Sequence, residues 1–316
     1  MEPINRRALL KTAAAVAATG VFAMPKLAQA KVARPAVVVA PAAEAVGAAK
    51  KYTVFKSVKW GMIGEKISIL DKFKLMQDLG YDGIELDSPG GPNKKECLEA
   101  SIATGMPVHG LVNSTHWGTR HTDPDPAKRE QALKDLLTAI TDSHAVGGNA
   151  VLLVAGHGKD GTQEEIAARA VTQINLALPL AAKLGVRILI ENVWNAMGYV
   201  HDGPGDQTAD GIAKFIDDCN SPWVGSYFDI GNHRKYGVPS QWARTLGKRI
   251  VKCDAKDFNH KTNKWADIGE GTVDWPEVCK ALGEINFHGW VTAEVGGGDR
   301  KRLAQIKAQM DQVFAG

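Results

Sequence analysis

From Ser57 onward the sequence alternates eight times between a short apolar run of period two and a longer stretch of helical period. The runs are SVKWGMIG, GYDGIELD, PVHGLVNSTHW, NAVLLVAGHG, RILIEN, WVGSYFDI, RIVKCDAKD and GWVTAEV. Parallel strands need a crossover of a dozen or more residues, usually a helix, and every gap here is long enough for one. Helices are predicted over 66–79, 93–104, 123–144, 162–183, 206–219, 239–246, 275–282 and 299–314. Thr162 and Glu165 form a capping box at the start of the fourth, and Pro179 is expected to bend it. Eight such units over 51–316 are close to the roughly 250 residues of one (β/α)8 TIM barrel, which is the predicted fold. A doubly wound sheet is the runner-up, but no glycine-rich dinucleotide turn follows the first strand.

Within that pattern, four consecutive apolar runs end on an acid: Glu191, Asp229, Asp254 and Glu294. A strand buried on both faces has no ordinary use for a carboxylate. In a barrel of this kind all four lie at the C-terminal face, where catalytic groups gather. Period two puts each acid on one face with its neighbour two residues back, pointing inward. Left alone, such a cluster would be protonated or expelled, and a divalent cation resolves the conflict. All-oxygen donors favour a hard or borderline ion, Mn2+ or Mg2+. Lys252 shares the inward face with Asp254 and is expected to offset its charge.

Residues 1–30 read as a leader. Asn5-Arg6-Arg7-Ala8-Leu9-Leu10-Lys11 resembles a twin-arginine export motif, an apolar run follows, and Ala28-Gln29-Ala30 fits a cleavage site. The expected address is the periplasm, with no membrane anchor left after cleavage. Residues 31–50, rich in Ala, Val and Pro, read as a linker. The formal net charge of +3 comes from Arg6, Arg7, Lys11 and Lys26 against Glu2; the remainder is neutral. A neutral chain without a basic run carries no electrostatic footprint for nucleic acid. Cys97, Cys219, Cys253 and Cys279 lack metal spacing and read as small buried residues, with pairing left open.

The stretches GYDGIEL, IEN, FDIGNH, the A-K-D of RIVKCDAKD, and TAE resemble the xylose-isomerase-like barrels of the sugar phosphate isomerase/epimerase superfamily. The resemblance runs from about Thr53 to the C-terminus. It implies one divalent metal held by Glu191, Asp229, Asp254 and Glu294, with Glu191 and Glu294 doubling as the acid/base pair. Asp254 departs from the pattern, since the family often has His there, and this makes zinc a poorer fit. Relative to the ketohexose 3-epimerases of that superfamily, Asn232 replaces a substrate-contacting His and Met197 replaces a Glu. The resemblance to endonuclease IV fails, because its additional histidines and basic DNA surface are missing.

Candidate substrate contacts are His109, Asn113, His116, His157 and Asn232, with Trp60, Trp117 and Trp194 as platforms for a sugar ring. Lys256, on the inward face near the mouth, is a candidate for binding or proton transfer. The expected function is a metal-dependent isomerase or epimerase that moves a proton beside a carbonyl of a small carbohydrate. Two alternatives stand beside it: a lyase or hydratase on 3-keto sugars or glycosides, and a non-catalytic sugar-binding protein. Homo-oligomerisation is left open.

Overall fold

The computed structural model describes residues 52–315, so the expected export leader and linker lie outside the described residues. Strands β1 (Thr53–Lys59), β2 (Gly83–Ser88), β3 (Val108–Asn113), β4 (Ala150–Leu153), β5 (Arg187–Glu191), β6 (Val224–Asp229), β7 (Ile250–Ala255) and β10 (His288–Ala293) alternate with helices along the chain. They close into a parallel barrel in which β1 pairs with both β2 and β10. The helices are α1 (Ile69–Asp78), α2 (Lys94–Thr104), α3 (Pro126–Ala145), α4 (Gln163–Leu184), α5 (Asp210–Asp218), α6 (Pro239–Leu246), α7 (Trp275–Glu284) and α8 (Arg300–Val313). A short antiparallel hairpin, β8 (Asp257–Asn259) and β9 (Lys264–Ala266), rises from the end of β7 and has no counterpart in the sequence reading.

Local chemistry sets the helix starts. Thr162 Oγ1 accepts from the Glu165 amide while the Glu165 carboxylate accepts from Thr162, the reciprocal box expected of that sequence. The helix passes through Pro179 and ends at Leu184, where Gly185 takes the left-handed conformation that a side chain would disfavour. Three starts are later than predicted. α1 begins at Ile69 instead of Lys66, because Ser68 caps it by accepting from the Asp71 amide. α3 begins at Pro126 because Asp125, rather than Asp123, caps it, while Asp123 accepts from the Asp125 amide. α5 begins at Asp210 instead of Asp206, since Gln207 is engaged in folding the preceding loop through both the amide and the carbonyl of Val200.

The main apolar core lies between barrel and helices, with Phe73, Leu136, Ile174, Trp242 and Leu282 fully buried in it. Inside the barrel, Ala150, Leu152, Leu189 and Tyr227 make a smaller core on the β4 to β6 side. The facing side carries buried polar groups: Ser57, Glu85, His109, Lys252 and Thr292. Hydrogen bonds link them: Tyr227 donates to Glu85 (2.9 Å), His109 Nε2 meets Ser57 Oγ (2.8 Å), and Lys252 Nζ lies 3.0 Å from His109 Nδ1. A polar layer therefore underlies the end of the barrel where the acids sit. The four cysteines are buried thiols. Among the described residues no helix is long and apolar enough to cross a membrane.

Candidate active site

At the C-terminal face one oxygen from each of Glu191, Asp229, Asp254 and Glu294 lies within 4.8 Å of the others. Glu191 and Asp229 close β5 and β6, Asp254 is the penultimate residue of β7, and Glu294 follows β10, its amide held by Ala255 O (3.0 Å). Asn192 locks β5 to β6, accepting from the Asp229 amide and donating to the Asp229 carbonyl, both at 2.9 Å. Asp229 Oδ1 receives the Gly231 and Asn232 amides at 2.8 and 2.7 Å, and this fixes its carboxylate. The Asn232 side chain bridges the cluster: it donates to Glu191 (3.3 Å) and accepts from Lys256 (3.2 Å).

Two lysines interleave with the acids. Lys256 Nζ stands 2.6 Å from Glu294 and 3.2 Å from Asp229. Lys59, at the end of β1, stands 2.8 Å from Asp254, 3.5 Å from Glu294 and 3.7 Å from Glu85. The offset expected of Lys252 is corrected here: Lys252 turns down toward His109, and Lys59 takes the place beside Asp254. Burial works against the Lys59 ammonium, but Asp254, Glu294, Glu85 and Glu191 outweigh it and hold its pKa well above the ordinary lysine value. Glu191 moves up, through burial and then through Glu294. Glu294 moves down, because Lys59 and Lys256 overcome its burial. Burial raises Asp229 to about 7 despite Lys256.

The donor set fits a divalent cation. Asp254 Oδ1 is buried without a hydrogen-bond partner, a rare condition that a bound ion relieves. The carboxylates Glu85, Glu191, Asp229, Asp254 and Glu294 outnumber the lysines paired with them, Lys59 and Lys256, and such an ion balances the excess negative charge. The histidines do not alter this count, since burial depresses His116 to about 3 and takes His109 far down as well.

Above the acids is a cavity of about 230 Å3, reached by Lys59, His116, Trp117, Trp194, Asn232 and Lys256. Trp265 of the hairpin also faces it; the sequence reading missed this residue because a short hairpin in a long loop leaves no periodic trace. Trp194 stacks on Trp265 with centroids 4.8 Å apart. His116 is oriented by the Val154 amide (3.1 Å). Other expected contacts are not brought to the cavity. His109 lies beneath it, Asn113 accepts from Thr115, and the His157 ring accepts from the Lys159 amide. Trp60, one residue past Lys59, faces outward against Phe73 and Lys72. A larger apolar groove between α4 and α5 contains none of the four acids.

Fold and site together define a (β/α)8 barrel with an acidic, cation-ready centre at its C-terminal mouth. The chain belongs to the xylose isomerase-like TIM barrel family, whose sequence profile matches residues 73–313. Among solved structures it is similar to a D-tagatose 3-epimerase-like protein, with TM-score 0.70, 18% identity, and coverage of 83% of this chain and 97% of that one. It is also similar to the 3-keto-D-glucoside 4-epimerase of E. coli (TM-score 0.67, 16% identity, 84% and 100% covered). A third is the IolI protein with a bound zinc atom (TM-score 0.70, 16% identity, 83% and 98% covered). At these identities the likeness is one of fold. By sequence the chain is 29% identical over 118 residues to the uncharacterized protein MJ1311 of Methanocaldococcus jannaschii. That stretch is 36% of this chain and spans 39% of the relative's length.

Proposed function

We propose that the protein is a divalent-metal-dependent sugar isomerase or epimerase that works by proton transfer beside a carbonyl. The observation that carries the reading is the convergence of four carboxylate oxygens within 4.8 Å, with Glu191 and Glu294 lining a sugar-sized cavity. The epimerases among its structural neighbours support the same class. Bound Mn2+ or Mg2+ would act as a Lewis acid, drawing negative charge from a substrate carbonyl oxygen.

The chain's own residues do the rest. Glu191 and Glu294 reach the cavity from strands three apart around the barrel, and their surroundings push their pKa values in opposite directions. Opposite shifts suit a pair in which one carboxyl gives a proton and the other takes it. Asp229 and Asp254 complete the donor set, with Asp229 Oδ1 already engaged by two amides. Lys256 and Lys59 present ammonium groups toward the cavity, each able to hold a substrate oxygen as charge develops on it. Trp117, Trp194 and Trp265 wall the cavity with apolar faces for the ring.

The test is metal analysis of the purified chain, followed by a screen of aldoses and ketoses in D2O. Deuterium at a carbon beside the carbonyl, with substrate mass otherwise conserved, supports the reading. Release of water or an aglycone points to the second reading, a lyase or hydratase on 3-keto sugars; the 3-keto-D-glucoside enzyme among the neighbours shares that substrate type but is itself an epimerase. Sugar that binds and comes back unchanged and undeuterated would make the protein a binding protein. The leader is proposed to direct twin-arginine export to the periplasm; loss of export in an Arg6→Lys/Arg7→Lys variant tests that.

A further inference from the structure

We propose that the substrate is a glycosidically substituted oxo-sugar, its ring seated on the acid cluster and its substituent in a second hollow beyond Trp265. This rests on the isomerase or epimerase reading and adds to it the class of substrate. The cavity over the acids, about 230 Å3, has room for roughly eight water volumes, the scale of one monosaccharide. Past Lys256, Trp265 and Glu294 lies a second hollow of about 480 Å3 that shares those three side chains. A group attached to a sugar in the first therefore passes directly into the second. A free monosaccharide would leave the larger hollow unused.

The outer hollow has the character of a subsite. Trp265 is 48% exposed, yet its ring is fixed by stacking on Trp194 and by Lys256 Nζ 4.9 Å from its centroid. An indole held in place and half exposed offers its open part to the apolar side of a ring at little ordering cost. The rest of the wall is small, namely Ala266, Val295 and Gly296, and a Cβ added to Gly296 would meet nothing within 4 Å. Asp267 is neutralised by a two-pronged pair with Arg302, both contacts at 2.6 Å. The wall thus suits a neutral partner, a second sugar or an uncharged aglycone, better than an ionic one.

A substituent at the anomeric carbon also fixes where the chemistry occurs. That carbon is then an acetal and cannot open to an aldehyde, so the carbonyl must be a ketone on the ring. One carboxylate removes the proton from the neighbouring carbon, and the C–H electron pair becomes the carbon–carbon double bond as the carbonyl π pair moves onto oxygen. Proton return from the opposite side by the second carboxylate restores the ketone with that neighbouring carbon inverted. No oxidant is consumed and the glycosidic bond is untouched. The reaction that supplies such a substrate is the oxidation of a ring hydroxyl of a glycoside.

The experiment uses the full chain loaded with Mn2+ and follows deuterium uptake by NMR for D-fructose, 3-keto-D-glucose and the methyl and phenyl β-glycosides of 3-keto-D-glucose. The phenyl glycoside should exceed 3-keto-D-glucose in kcat/KM by at least tenfold. Gly296→Phe, which fills the outer hollow, should lower that ratio at least tenfold with Mn2+ affinity unchanged; Ala266→Trp serves equally if the first variant does not fold. Equal kcat/KM for free and substituted sugars, or a ratio that both variants leave intact, overturns the subsite and leaves the epimerase reading standing. Absence of exchange with every sugar overturns the epimerase reading itself.

Discussion

Lys59→Met should strengthen metal binding while weakening catalysis, an uncommon combination. The Lys59 ammonium lies 2.8 Å from Asp254 and 3.5 Å from Glu294, so it competes with a cation for the same oxygens. Two unit charges 4 Å apart interact by about 1 kcal/mol in bulk water, and by more where solvent is scarce. Repulsion from a doubly charged ion is therefore at least about 2 kcal/mol, or roughly 30-fold in Kd. Removing a positive charge also raises the carboxylate pKa values, so the assay belongs at pH 8, where proton competition is weak. Titration of apo protein with Mn2+, read by the EPR signal of the free ion, gives Kd directly. Turnover should fall by about 10²-fold, the scale of losing one donor to a developing oxyanion. Unchanged or weaker Mn2+ binding in the variant would refute the competition argument, and wild-type turnover would refute the catalytic one.

Glu191→Gln and Glu294→Gln keep an oxygen donor and nearly the same shape; each should retain fold and much of its metal yet lose about 10²-fold or more in turnover, and the variant lacking the proton-abstracting group should no longer incorporate deuterium. Stripping metal with EDTA should lower Tm, and Mn2+ at 100 times its Kd should restore about 2.7 kcal/mol, or roughly 5 to 10 °C, by differential scanning calorimetry. Burial pushes Lys252 down to about 7 against the pull of Glu85, whereas the unfolded chain keeps that proton to about pH 10. Between those values the unfolded state binds the extra proton, so this residue makes stability rise with pH by about 1.4 kcal/mol per unit, roughly 3 °C in Tm. Lys252→Met should flatten that rise between pH 7.5 and 9.5, and a parallel pair of Tm profiles would contradict it.

The barrel and its four acids were legible because each broke a local rule in the same place. Apolar runs rarely end in carboxylates, and Glu191, Asp229, Asp254 and Glu294 do so in successive units. Period two was equally informative where it was followed: Lys59 and Trp60 are adjacent, so one faces the barrel axis and the other must face out, as Trp60 does against Phe73. Reading Trp60 as a ring platform ignored that alternation. The hairpin carrying Trp265 was hidden, since three-residue strands leave no period to detect. The register within β3 was also hidden, because an irregularity between Ile84 and Glu85 shifts its pairing with β2.

Lys59 was illegible for a different reason, and it bears on what the site is. A lysine ending a first strand reads as a solvated charge, and only barrel closure, which pairs β1 with β10, brings it to an aspartate 195 residues away. The acid that departs from the family pattern, Asp254, is the one Lys59 contacts most closely. A neutral donor exchanged for a carboxylate adds one negative charge to a site already short of cations, and an uncompensated buried charge costs several kcal/mol. The lysine makes the exchange tolerable by placing a positive charge 2.8 Å from the added negative one. Asp254→His should therefore be accepted by the fold yet leave Lys59 overcharging the site, so that Mn2+ binding weakens, and the double variant Asp254→His/Lys59→Met should recover more than the two single effects add to. Strict additivity of the Mn2+ free energies would mean that the two residues act independently, against the geometry that joins them.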